Sequence, residues 1–273
     1  MPVAKACRLL NVRRQGYYTW QKRKESARAR ADRTLTGKIC NIFFESRRTY
    51  GARKIRSELQ KLGDYASRRR IRRLMLASGL IPIVWHKRIS TTVSDPNAKA
   101  FPNLLAQDFK VALPNKTWVS DFTYIPTDEG WLYLCTFMDL FSRRIVGWAV
   151  SSTIDRQLAI AALNNAAENR KPEKGIVIHT DRGCQYTSAD FRNAVAAIGG
   201  IQSMSRPGTP YDNACAESFF KRIKSERLDG MHFSTHRQAE NEVADYILNY
   251  NRCRIHQSLG YLTPVEFEEI FAA

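Results

Sequence analysis

The chain has 273 residues, 44% of them hydrophobic, which suffices for one large packed domain or two smaller ones. Its 43 Lys and Arg outnumber its 26 Asp and Glu, a net charge of +17, and the excess is confined to residues 1–100, which hold 25 basic residues against 6 acidic, whereas residues 101–273 hold 18 against 20. A positive field of that size attracts phosphate backbones or, as a blander reading, an anionic membrane surface. The chain shows no apolar run of transmembrane length, no signal-type start and no Cys-x-x-Cys pair among its six cysteines. That argues against a membrane-spanning or disulfide-stapled protein and for a reducing cytoplasm.

The basic part reads as helices. Residues 4–10 and 27–44 carry apolar side chains at helical spacing, the latter through Leu35, Ile39, Ile42 and Phe43. A further pattern, Ile55, Leu59 and Leu62, is stopped by Gly63, and Ser67 then caps a helix over 68–77. In that last helix Ile71, Leu74 and Met75 face inward, while Arg68, Arg69, Arg70, Arg72 and Arg73 coat the outside. Two short helices joined by a polar turn suggest a helix-turn-helix that meets DNA; the alternative is a solvated helix of a bundle. Residues 1–85 form this helical region, and 86–115, with His86-Lys87-Arg88, Pro102 and Pro114, have linker composition.

From residue 117 the period changes. Three runs rich in β-branched and aromatic residues, 117–125, 131–139 and 144–151, predict an antiparallel meander turned at Asp128-Glu129-Gly130 and Phe141-Ser142-Arg143. A helix over 156–169, a strand over 175–179, a helix over 188–198, a strand over 201–204 and a turn at Pro207-Gly208 follow. Strands first, then helix and strand in alternation, predict an α/β domain with a five-stranded mixed sheet flanked by helices over 116–230, and 231–273 extends it with further helix.

Three acids stand out against that frame. Asp121 lies inside Trp118-Val119-Ser120-Asp121-Phe122-Thr123-Tyr124-Ile125, Asp181 at the exit of Ile176-Val177-Ile178-His179-Thr180, and Glu217 on the helix after Asn213-Ala214-Cys215-Ala216. If the first strand is central and the strand ending at His179 pairs beside it, both aspartates come to neighbouring strands. Three converging carboxylates suit two hard divalent cations that clamp a phosphodiester displacement. Lys221 and Lys224 follow Glu217 by four and seven residues and would share its helix face, while Arg182, Gln185 and Tyr186 could contact a DNA backbone. Asp139 is better suited to a turn and Asp212 to capping the glutamate helix. His232 and His236 with Cys253 and His256 have zinc-like spacing, but the stretch between them reads as an ordinary amphipathic helix and the histidines as surface or phosphate contacts.

Residues 118–125, 176–188, 203–227, Tyr250-Asn251-Arg252 and His256-Gln257-Ser258-Leu259-Gly260-Tyr261-Leu262-Thr263-Pro264-Val265-Glu266-Phe267 resemble the retroviral-integrase-type core of bacterial transposases of the insertion-sequence-three family. The basic part, including Tyr50-Gly51-Ala52-Arg53-Lys54-Ile55, resembles the helix-turn-helix region that precedes that core. The 35 residues between Asp181 and Glu217 match the superfamily's spacing. The resemblance implies a ribonuclease-H-like fold and maps the catalytic, metal-binding acids onto Asp121, Asp181 and Glu217 and a basic residue onto Lys224. It further implies two Mg²⁺ ions, with Mn²⁺ able to substitute, and strand cleavage and strand transfer on terminal inverted repeats and target DNA by at least a dimer. The start near Ala6-Cys7-Arg8-Leu9-Leu10 looks like the beginning of the second of two overlapping frames, which implies fusion to, or partnership with, an upstream-frame product. A simple nuclease on the same fold and a catalytically silent DNA-binding regulator remain as competitors.

Overall fold

The computed structural model describes residues 2–22, 24–83, 101–106, 109, 111–206 and 210–271. Most of the expected linker, including 86–100, and the expected turn at Pro207-Gly208 lie outside them. The chain divides into two compact units, Met1–Pro82 and Ile83–Ala273.

The first unit is all helix: α1 (Val3–Leu9), α2 (Arg14–Gln21), α3 (Ala27–Glu45), α4 (Ala52–Lys61) and α5 (Arg68–Ala77). Leu35, Ile39, Ile42 and Phe43 of α3 are buried where α3, α4 and α5 pack together, with Ile55, Leu59, Ile71, Leu74 and Met75. Ser67 caps α5 by accepting from the Arg70 amide at 3.2 Å, and Gly63, at φ +80°, makes the turn after α4 in a conformation that costs other residues energy. Helix α2 is not among the elements expected from the sequence, and none of its residues is buried. Leu62, expected inside, is 65% exposed.

The second unit is built on a five-stranded sheet of order β3-β2-β1-β4-β5: β1 (Thr117–Thr127), β2 (Gly130–Asp139), β3 (Ile145–Ser151), β4 (Val177–Thr180) and β5 (Ile201–Met204). The first three form the antiparallel meander, and β4 and β5 add in parallel beside β1. Because successive side chains point to opposite faces, neighbours separate between two cores: Val119, Leu134, Met138 and Ile145 enter one, and Trp118, Cys135, Phe137 and Val146 the other. Helices α6 (Arg156–Arg170), α7 (Cys184–Thr187) and α8 (Ala189–Ala197) contribute residues to the second core. Helices α9 (Ala214–Ile223) and α10 (His236–Arg252) contribute to the first.

The C-terminal motif also has a structural account. Thr263 and Glu266 form a reciprocal cap, with Thr263 N–H donating to Glu266 Oε2 at 2.7 Å and Glu266 N–H to Thr263 Oγ1 at 3.1 Å, and Pro264 opens α11 (Pro264–Phe271). From α11 the Glu268 carboxylate accepts from Ser142 at 2.7 Å, Arg144 at 2.7 Å and Arg170 at 2.8 Å, tying the β2–β3 turn to the end of α6. Asp139 does serve that turn: it accepts from the Phe141 amide at 2.9 Å and the Asn115 amide at 2.7 Å. Among the described residues no helix is long and apolar enough to cross a membrane.

Helix α6 packs tightly on the sheet at Gly147 of β3, where a Cβ would stand 2.5 Å from Ala166 Cβ and 2.6 Å from the Ala162 carbonyl of α6. Gly147→Ala should therefore push α6 off the sheet and cost about 1–3 kcal/mol of stability, read as a lowered denaturant midpoint. An unchanged midpoint would mean that this contact is not tight.

Candidate active site

Strand β4 pairs with β1 only at Thr117, Trp118 and Val119, opposite Val177, Ile178 and His179. Two residues beyond that register, on each strand, stand Asp121 and Asp181, so the exit of β4 brings the two aspartates together. Both are half-buried. Asp121 Oδ1 accepts from the Phe122 amide at 2.8 Å, and Asp181 Oδ1 from the Gly183 amide at 3.0 Å. A Cβ at position 183 would lie 2.9 Å from Gln185 Oε1 and 3.1 Å from Asp181 Oδ1, so a side chain there would displace the flexible Gln185 amide and crowd the aspartate. Burial and then the charge of Asp181 push the Asp121 carboxyl well above the ordinary range, with a smaller push from Glu217, against the pull of the Phe122 amide and of Lys224. Burial likewise raises Asp181.

Glu217 is the outer member. It stands in the first turn of α9 with an exposed side chain, close enough for its charge to act on Asp121. Among the described residues no three His, Cys, Asp or Glu side chains are gathered tightly enough to form a ready metal site. The helix is nevertheless anchored beside the aspartates. Asn213, its N-cap residue, donates through Nδ2 to the Ser120 carbonyl at 3.0 Å, and Ala216, Phe219, Phe220 and Ile223 are buried. Asp212 does not cap the helix as expected. It sits one residue earlier, in the 3₁₀ turn Pro210–Asn213, and its Oδ2 accepts from Asn103 Nδ2 at 2.7 Å and from the Arg206 amide at 2.9 Å.

Lys221 lies in α9 and Lys224 follows at its C-cap with helical backbone, after which the chain widens into a π-type turn over Lys224–Leu228, closed by Asp229 N–H donating to the Lys224 carbonyl at 2.8 Å. Lys221 is exposed, whereas the half-buried Lys224 holds its ammonium 4.2 Å from the Tyr124 ring centre. Burial depresses the Lys224 pKa. A buried bidentate pair pins this turn: Glu226 accepts from Arg254 at 2.5 and 2.8 Å and from the Tyr246 hydroxyl at 2.8 Å.

Other expected contacts fall differently. Tyr186 cannot reach a DNA backbone: it is fully buried, and its hydroxyl lies 2.7 Å from the equally buried Ser120 Oγ. Arg182 donates through Nε to the Ser205 carbonyl at 2.8 Å, tying the exits of β4 and β5. His179, to which no role was attached, lies buried between Ser203 Oγ at 2.9 Å and Ser205 Oγ at 3.1 Å, and burial lowers it to about 4, so it is neutral. His232 bonds Asp128 at 2.9 Å, His236 opens α10, and buried His256 meets the Tyr250 ring edge-on, so these histidines serve the fold. In the helical unit Arg70 and Arg73 hold Asp32 of α3 at 2.6 and 2.5 Å, while Arg68, Arg69 and Arg72 are exposed.

Comparison with known proteins agrees with this architecture. Residues 112–210 match one Integrase core domain family, residues 200–264 a second family of the same description, and residues 29–88 an HTH-like domain family. The chain is 39% identical over 236 residues to the transposase for insertion sequence element IS904 of Lactococcus lactis, covering 86% of this chain and 93% of that one. It is 37% identical over 265 residues to the transposase InsF for insertion sequence IS3A of Escherichia coli, covering 96% and 92%. A solved HTLV-2 integrase catalytic core in complex with magnesium is 17% identical, with a TM-score of 0.45 over 56% of this chain and 94% of that one.

A raised carboxyl pKa means that the native state holds its proton more tightly than the unfolded chain, so stability falls as pH rises from the ordinary carboxylate range through the raised value. Asp121→Asn removes that charge. In metal-free buffer it should raise the unfolding free energy at pH 8 by on the order of 1–2 kcal/mol, with the gain shrinking toward pH 4. A variant less stable than the parent at pH 8 would show that the aspartates do not strain one another.

Proposed function

The chain belongs to the IS3 family of insertion-sequence transposases, and from that membership we propose that Asp121, Asp181 and Glu217 are the carboxylates with which it cuts and joins DNA. The family reaction is DNA transposition by a DDE-type polynucleotidyl transferase. What supports the assignment is the placement of Asp121 and Asp181 two residues beyond the last paired residues of the parallel strands β1 and β4, with the charges of Asp181 and Glu217 both raising the Asp121 carboxyl. Groups held so close at a cost in charge suit a counter-cation, and an all-oxygen donor set suits a hard one.

Asp121, Asp181 and Glu217 would hold two Mg²⁺ ions, for which Mn²⁺ could substitute. Bound there, such ions would activate a water or a DNA 3′-hydroxyl and stabilise the departing 3′-oxygen. The protein's own groups do the rest. Asn213 fixes the helix that presents Glu217, and the Lys224 ammonium, held at Tyr124, neutralises a phosphate beside the acids. No covalent protein–DNA intermediate is needed, and Ser120, buried against Tyr186, is unsuited to forming one. Lys221 and Arg182 flank the acids as backbone contacts.

Arg68, Arg69 and Arg72 supply salt-sensitive affinity from the helical unit, whereas Arg70 and Arg73 are committed in part to Asp32. The DNA comprises the element's terminal inverted repeats and a target. Two ends must be brought together, so the active form is at least a dimer on DNA, and an upstream-frame product serves as fusion or partner.

Asp121→Asn, Asp181→Asn and Glu217→Gln should each lower Mg²⁺-dependent cleavage and joining of terminal-repeat duplexes by on the order of 10³-fold while DNA binding persists. Cleavage retained in Mg²⁺ would refute the assignment. Mg²⁺ should also raise the melting temperature of the parent chain and not that of Asp121→Asn. Replacing Arg68, Arg69 and Arg72 together by alanine should flatten the dependence of log K on log salt by about three units, whereas Arg70→Ala with Arg73→Ala should chiefly lower the unfolding midpoint. Equal salt slopes for the triple variant and the parent would remove α5 from the DNA interface.

A further inference from the structure

We propose that Trp131, braced edge-on by Tyr124 next to Lys224, is a stacking platform for an unpaired nucleobase of the DNA end, a proposal that rests on reading Asp121, Asp181 and Glu217 as the cutting site. Four observations converge on it. First, β4 leaves β1 after Val119, so Asp121 and Tyr124 lie on a stretch of β1 that is paired only with β2. Three residues of strand span about 10 Å, and because side chains alternate, Tyr124 projects from the face opposite Asp121, along the edge of β1 that β4 leaves unpaired.

Second, Trp131 is 51% exposed and belongs to neither apolar core, although it stands at the start of a strand whose later residues are buried. Its ring meets that of Tyr124 at 5.0 Å and 89°, which fixes the indole without covering it. Third, the Lys224 ammonium lies 4.2 Å from the Tyr124 ring centre, and its charge also acts on Asp121, so one cation spans the distance between the acids and the ledge.

Fourth, the hairpin tip that carries Trp131 is held down. Asp128 N–H donates to the Phe233 carbonyl at 3.0 Å, the His236 amide donates to Glu129 Oε2 at 2.6 Å, and His232 bonds Asp128 at 2.9 Å. The tip acids are thereby engaged, and the ledge is organised before any ligand arrives.

An exposed aromatic face beside a lysine fits a base whose phosphate the lysine can neutralise. The base must be unpaired, because bases in a duplex have their faces occupied by their neighbours. An apolar protein partner would gain nothing from the ammonium at the same ledge.

The test uses the full chain and terminal-repeat duplexes carrying 2-aminopurine at each of the last three positions of the processed strand. With Asp121→Asn, which leaves the probe uncut, emission should be quenched at one position. Adding Trp131→Ala should abolish that quenching, and Trp131→Phe should retain it. In the cleaving chain Trp131→Ala should raise KM for the end about tenfold, and an abasic nucleotide at the sensitive position should erase the difference between Trp131→Ala and the parent.

Quenching and KM indifferent to Trp131→Ala, in a chain that cuts in Mg²⁺, would overturn the platform and leave the catalytic reading standing. Quenching that depends on Trp131 in a chain that never cuts would show the reverse. A change of oligomeric state in Trp131→Ala, with the probe unaffected, would assign the ledge to a protein contact and overturn the proposal.

Discussion

The second unit depends on the parallel pairing of β1 with β4 ending where it does. Over Thr117 to Val119 the two strands share a ladder and bury Trp118 and Val119 on opposite faces; beyond it β4 runs out at Thr180 and β1 continues to Thr127. Like charges are normally kept apart by solvent or by distance, and here both are curtailed, because the ladder fixes the backbones that carry the half-buried Asp121 and Asp181. Burial and repulsion therefore act on Asp121 together. The strain is local, and the packing on both faces of the sheet sustains it. Ser120 shows how closely the surroundings are specified: its hydroxyl is buried against Tyr186 and its carbonyl receives Asn213, so the residue before the aspartate is fixed from both sides.

The third carboxylate relies on a different kind of support. Glu217 belongs to a helix whose position comes from aromatic packing, with Phe219 edge-on to Tyr250 at 4.9 Å, and from the Glu226–Arg254 pair within the π-type turn that follows it. Replacing such a pair with apolar residues often leaves stability unchanged, since desolvation offsets the attraction. What the pair adds is direction, because it fixes Glu226 inside the π-type turn that begins at Lys224. Tyr246 and Arg254 together leave the Glu226 carboxylate one arrangement, and the turn is held with it.

Much of this was legible in the amino-acid order, and the exceptions share a cause. The five strands could be read because the two-residue alternation of Trp118/Val119 or Phe137/Met138 is imposed by burial on both faces, and α3 and α5 because Ile39 and Ile71 sit in stripes that face a core. The pairing of Asp121 with Asp181 followed from placing β1 centrally. Features set by partners distant in the chain left no local trace. Helix α2 buries nothing, the π-type turn after Lys224 is held by Arg254 and Tyr246 from farther along the chain, and Tyr186 is drawn inward by a serine 66 residues away. Asp212, whose neighbours suggested a cap, serves Asn103 and Arg206 instead.

Charge also divides the chain in a way that bears on how it handles DNA. Residues 101–273 carry slightly more acid than base, and the acids that matter most are concentrated at one spot, so without cations the catalytic part repels a phosphate backbone. The first hundred residues, with 25 basic side chains against 6 acidic, provide an attraction that acts over a Debye length and does not depend on sequence. A protein of this kind is held to DNA by one part and reacts through another. On the proposed reading, a reacting part with little affinity of its own would gain specificity by engaging a phosphate only where cations and a correctly presented strand end are both in place, with Lys224, held at Tyr124, beside that spot.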